Sequence, residues 1–143
     1  MGSYLNPGNK GFRESLNSEI YVDKTELVEK TNAVLDTRQK FLCVSRPRRF
    51  GKSMAADMLA AYYERGEDSA SLFDFLKISK SISYQKHRNQ HDVIKVNMQE
   101  FFSMAHNMDD MLCMFQRYLI FELKDYFENI RFRDENNLIQ VEN

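Results

Sequence analysis

Ser45-Arg46-Pro47-Arg48-Arg49-Phe50-Gly51-Lys52-Ser53 is the one stretch of this chain whose residue types and spacing combine into recognisable chemistry. A glycine ahead of Lys-Ser lets backbone amides approach an anionic oxygen. The lysine brings a point charge to β- and γ-phosphates, and the serine hydroxyl is a ligand for magnesium. Arg46, Arg48, Arg49 and Lys52 place four cations within seven residues. The chain as a whole has 20 basic and 21 acidic side chains and a formal charge of −1, so this is a local anion trap in a neutral background. The full phosphate-loop pattern has a glycine where Arg46 stands, and a bare Gly-Lys-Ser is a weak signal alone. Read from residues only, a basic surface turn stays open as the alternative.

Such a loop works when a strand fixes its first end and a helix N-terminus supplies free N–H groups and a positive dipole end at the other. Phe41-Leu42-Cys43-Val44 is a compact apolar run that reads as a buried parallel strand. From Ser53 to about Arg65 an apolar stripe of Met54, Met58, Leu59 and Tyr62 reads as a helix, with Gly66 as its stop. Upstream, Asp23 with Glu26 forms an acidic variant of the capping box, opening a helix with Leu27, Val28, Thr31, Val34 and Leu35 on one face. Ser69–Leu76 reads as a short helix, Val93–Met98 as a second core strand, and Asn107 as the cap of a last helix with Asp109 and Asp110 in its first turn. The alternation predicts an α/β fold. Residues 1–19 read as an irregular lead-in and 133–143 as a polar tail.

With 143 residues, 43% hydrophobic and 29% charged, the chain fits one folded domain and excludes global disorder. No apolar run nears the ~18 residues that span a bilayer. The first six residues lack a signal-peptide pattern, and Asn6 stands where myristoylation requires Ser or Thr. Cys43 and Cys113 read as small core residues rather than a disulfide pair, so a reduced, cytoplasmic protein is expected.

Tyr21-Val22-Asp23-Lys24-Thr25, the run from Phe41 through Arg-Pro-Arg-Arg-Phe-Gly-Lys-Ser to Met54, Leu72–Ile78 and Asp92–Met98 together resemble the predicted AAA-ATPase family of bacteria over roughly residues 8–100. Arg-Pro-Arg-Arg-Phe-Gly-Lys-Ser is that family's form of the Walker A loop, so Arg46 is normal there. The resemblance implies a P-loop NTPase of the AAA type, a three-layer α/β/α sandwich around a parallel sheet, here incomplete at its C-terminal end. It implies ATP and Mg2+ as ligands, with Arg48, Arg49, Phe50, Gly51, Lys52, Ser53 and Met54 at the nucleotide and Ser53 on the metal. It supplies no role for Asp23.

Hydrolysis also needs an acidic strand end to hold magnesium and orient water. Val93–Asn97 ends in neutral Asn97, a poor substitute, and in the resembled family the acidic strand comes later. The chain is therefore expected to behave as the N-terminal part of an ATPase, with hydrolysis weak or absent. Its exposed sheet edges should favour self-association or a complementing ATPase segment. The rival readings are a non-catalytic nucleotide- or partner-binding module and a phosphate contact to nucleic acid through Arg46, Arg48 and Arg49. Overall neutrality and the absence of an aromatic platform at the loop speak against the last. His87 and His91, four apart with no Glu between and no third ligand, read as a solvated linker. Met98, Met104, Met108, Met111 and Met114 read as core filling.

Overall fold

The computed structural model describes residues 2–49, 51–134 and 137–142. Seven α-helices follow in chain order: α1 (Lys10–Leu16), α2 (Glu26–Val34), α3 (Lys52–Tyr63), α4 (Ala70–Phe73), α5 (Tyr84–His87), α6 (Met98–Met104) and α7 (Met108–Tyr126). A 3-10 helix, Lys77–Lys80, lies between α4 and α5. Two short strands, β1 (Arg131–Asp134) and β2 (Asn137–Glu142), close the chain as an antiparallel hairpin.

This overturns the expected α/β/α sandwich. Among the described residues the only sheet is that hairpin, and no parallel sheet forms. A strand needs a neighbour to take its backbone groups, and Phe41–Val44 has none: Phe41 is 86% exposed, and Leu42 and Val44 are each half exposed. Val93–Met98 fares little better. It makes one isolated antiparallel bridge, Leu5 with Ile94, supported by Asn6 N–H donating to the Val93 carbonyl (2.8 Å) and Lys95 N–H to that of Tyr4 (2.9 Å). The expected irregular lead-in instead contains α1, and the expected polar tail contains the hairpin.

Helix α3 organises the core. Its run of alanine, methionine and leucine favours helix, and Ala60 and Ala61, both buried, allow close packing. A Cβ at Gly11 would lie 2.9 Å from the Asp57 carboxyl carbon, so any larger residue there would displace that side chain. Asp57 is held in an ion pair by Lys95. Around this contact Phe12 stacks on Phe73 at 4.8 Å, and Tyr62 meets Phe73 edge-on at 5.4 Å. Aromatic pairs in this geometry add about 0.5–1.5 kcal/mol beyond their burial. Val28, Met58, Ile78 and Tyr84 complete the cluster.

Most of the core's polar atoms are partnered, the exceptions among the described residues being Glu64 Oε1 and Arg88 Nε. Tyr62 Oη donates to the Tyr84 carbonyl (2.7 Å) and Tyr63 Oη to Asn32 Oδ1 (2.6 Å), while burial pushes the Tyr63 hydroxyl up to about 12. Asn89, in the left-handed region at φ 55°, donates from its side-chain amide to the carbonyls of Glu64 and Glu67 and accepts from Ser69.

At the far end, Asn107 accepts from Asp110 N–H and caps α7 as expected. Glu122 on α7 accepts from the amides of Ser3 (2.7 Å), Tyr4 (2.9 Å) and Leu5 (2.8 Å), strapping the N-terminal segment to that helix. Three other expectations fail. Of the clustered methionines only Met111 is fully buried, with Met98, Met104 and Met108 exposed; Cys43 and Cys113 are exposed rather than core; and His87 is buried rather than solvated.

Candidate functional site

The loop expected to bind phosphate ends on α3, as the sequence implied. Gly51 is the N-cap of this helix with φ 77° and ψ 26°, a left-handed conformation that a side chain resists. The first helical bond runs from Ala55 N–H to the Gly51 carbonyl at 2.9 Å. The amides of Lys52, Ser53 and Met54 therefore have no partner within the helix and point out of its positive end. Arg49 also has a positive φ, 66°, so the chain turns sharply on either side of Phe50, which lies outside the described residues.

Lys52 folds back over the loop: its Nζ donates to the Arg46 carbonyl at 2.9 Å, across six residues. The ammonium is thus tied across the turn to Arg46 while the side chain stays exposed. Arg46, Arg48, Lys52 and Ser53 are all exposed, so an incoming anion meets them without rearrangement of the core.

Two clefts flank the helix start. One, of about 370 Å3, is bounded by Asp23, Lys24, Leu27, Val44, Arg46 and Lys52. The other, of about 330 Å3, is mostly apolar and is lined by Phe12, Tyr21, Val22, Arg49, Met54 and Met58. Gly51 and Lys24 border both. Burial, helped by the nearby Asp23 charge, pushes the Tyr21 hydroxyl up to about 12, so it stays protonated.

Of the site residues read from sequence, the structure brings Arg46, Arg49, Gly51, Lys52 and Met54 to these clefts, with Ser53 on the first turn between them. Arg48 stays in the exposed turn. Lys24, read from the sequence only as part of the Tyr-Val-Asp-Lys-Thr run, also reaches the site. A Cβ at position 51 would lie 3.1 Å from its Nζ, so its ammonium approaches the loop glycine as closely as an added methyl allows. The Tyr-Val-Asp-Lys-Thr run was the available signal.

Asp23 is committed elsewhere. Its Oδ1 accepts from Thr25 N–H (2.8 Å) and Thr25 Oγ1 (2.6 Å), and its Oδ2 from Lys77 N–H (2.7 Å). It is not the helix N-cap, which is Thr25, but a bracket between the approach to α2 and the 3-10 helix. Partial burial works against its charge, but the bonds from Thr25 and Lys77 outweigh that and hold the carboxyl below the ordinary range. Asn97, weighed as a substitute for the acidic strand end, caps α6 by accepting from Gln99 N–H. Among the described residues no group of three or more His, Cys, Asp or Glu side chains gathers to hold a metal. No helix among them is long and apolar enough to cross a membrane.

No curated protein and no solved structure matches the chain. A family model described as predicted AAA-ATPase matches residues 9–141, a span that takes in the loop, both clefts and the core beneath them, and the chain belongs to this AAA-ATPase-like family.

Proposed function

We propose that this chain binds ATP with magnesium at the N-terminus of α3 and hydrolyses it weakly or not at all on its own. The observation that carries the reading is the geometry at Gly51–Lys52: a left-handed glycine on the positive end of a twelve-residue helix, with a lysine ammonium already folded over the loop. The residues present fit a triphosphate. The space a Cβ would take at Gly51 is bordered by the Lys24 ammonium, and Arg46 and Arg49 line the two clefts that meet at this glycine. In this reading the Lys52, Ser53 and Met54 amides and the Lys52 ammonium hold the phosphates, and the apolar cleft beside Tyr21 and Met54 takes the base. The Ser53 hydroxyl is the ligand offered to magnesium, which when bound neutralises phosphate charge.

Weak hydrolysis follows from the carboxylates. Asp23 is spent on Thr25 and Lys77, and Asp57 on Lys95. Neither is left to orient a water, and Glu26, the other carboxylate on the cleft wall, is paired with Lys77 at 3.5 Å. The binding-module reading therefore stands beside the ATPase reading, and steady phosphate release by the chain alone overturns it. The proposal includes self-association or a complementing ATPase segment, supported by the bare apolar side chains at 41–44. It also includes a reduced, cytoplasmic setting, supported by two exposed free thiols.

The test is titration of ATP with and without magnesium, by calorimetry, on the wild type and Lys52→Ala. One charge-assisted contact is worth about 1.5–3 kcal/mol, so affinity should fall about 10- to 150-fold. Unchanged affinity retires the loop. DNA binding that persists in Lys52→Ala and weakens with salt favours the nucleic-acid reading instead.

A further inference from the structure

At the opposite end of α3, about 18 Å from the loop by the helical rise, two imidazoles face each other. His87 Nδ1 and His91 Nε2 are 3.2 Å apart, their rings inclined by only 26°. A solvated linker does not produce this. His87 is 7% exposed on α5, and His91 is half-buried against the Tyr63 ring at 5.5 Å.

The backbone fixes both rings. Asn89 N–H donates to the Tyr62 carbonyl (2.8 Å), His91 N–H to that of Tyr63 (2.9 Å), and Arg65 N–H to that of His91 (3.0 Å). The left-handed Asn89 between the two histidines turns the chain so that both side chains return to the same spot.

Two imidazole nitrogens bound to one cation at about 2.0–2.1 Å stand about 3.3 Å apart at a tetrahedral angle and about 2.9 Å apart at a right angle. The observed separation falls between these values. We propose that His87 Nδ1 and His91 Nε2 form a two-point chelate for a divalent transition-metal cation of the zinc or copper class, separate from the nucleotide loop. The neutral ring that now donates shifts its proton to its other nitrogen, so both lone pairs face the cation and no proton leaves the protein. Burial, then the facing His91 and Lys86, disfavour a proton's charge on His87 and keep its ring neutral, and the Asp36 carboxylate offsets this only in part.

The probe is Zn2+ titrated by calorimetry into the tag-free full chain carrying Cys43→Ser and Cys113→Ser, which removes the exposed thiols. One cation should bind per chain without ATP, about tenfold or more weakly in His91→Gln and His87→Gln. His106→Gln serves as the exposed control and should bind like its parent. Because His87 is buried, circular dichroism checks its variant, and the half-exposed His91→Gln carries the test if that variant unfolds. Failure to saturate near one equivalent, or undiminished binding in His91→Gln, overturns the chelate. Binding that requires ATP or vanishes in Lys52→Ala assigns the cation to the loop and overturns it too. Zinc binding that survives in Lys52→Ala stands even if the nucleotide reading fails.

Discussion

Asp23 belongs to one of the stretches that resemble the family, and a carboxylate beside a phosphate loop invites a catalytic role. Its bonds argue for a mechanical one. Replacing it with alanine removes three acceptor contacts, to Thr25 N–H, Thr25 Oγ1 and Lys77 N–H, at 2.8, 2.6 and 2.7 Å. Thr25 is fully buried, and its hydroxyl also accepts from Ile78 N–H at 3.1 Å. Without Asp23 that hydroxyl has lost the acceptor it donates to. A net bond is worth about 0.5–1.5 kcal/mol and an orphaned buried donor costs about 1–3. Because the carboxylate is only partly buried, the total should be about 2 kcal/mol. For a chain of this length that is a drop of about 6 °C in the melting midpoint. Asp23→Asn keeps one acceptor but turns an NH2 toward a donor, so about half the loss should remain.

The pH dependence has a definite sign. The folded carboxyl lies below its ordinary value, so the stability it contributes is complete above about pH 4 and is lost as pH falls through the folded value. The midpoints of wild type and Asp23→Ala, measured by calorimetry from pH 7 downward, should therefore converge in acid. An Asp23→Ala protein that melts like the wild type at neutral pH while losing ATP affinity in a calorimetric titration would refute the argument and return Asp23 to the site.

Two further perturbations separate the loop from the scaffold. Gly51→Ala puts a side chain at φ 77°, costing about 1 kcal/mol and about 3 °C in the midpoint, while its methyl enters the phosphate cradle; ATP affinity should fall far more than stability, and a calorimetric titration showing full affinity contradicts the cradle. Glu122→Ala frees the amides of Ser3, Tyr4 and Leu5, so hydrogen exchange at those three should accelerate together, and unchanged protection there means the strap is held by Leu5 burial alone.

The sequence carried the loop and the longer helices because their signals are local. Gly51 had to be glycine for the left-handed cap, and Asn107 with Asp109 and Asp110 opens α7 within one turn. The failures share the opposite property. Phe41–Val44 and Val93–Met98 have strand-like composition, but a ladder is a contract with a second segment, and composition says nothing about whether one arrives. Helix α1 was hidden among Pro7, Gly8 and Gly11, and its N-cap Asn9 makes no side-chain cap bond that would announce it. Gly11 reads as a loop former, yet its purpose is a close approach to Asp57, forty-six positions away.

The same distinction explains why the Tyr-Val-Asp-Lys-Thr run was recognisable before it was interpretable. Tyr21, Val22 and Lys24 border the clefts at the start of α3, Thr25 is buried and accepts from the Ile78 amide, and Asp23, on the wall of one cleft, accepts from that of Lys77. One short segment thus faces the loop glycine and the buried end of the 3-10 helix at once. Each contact spans dozens of residues, so no local pattern specifies it. The bonds of Asp23 and Thr25 to the 3-10 helix thus fix the backbone on both sides of Lys24, the residue whose ammonium reaches the loop glycine.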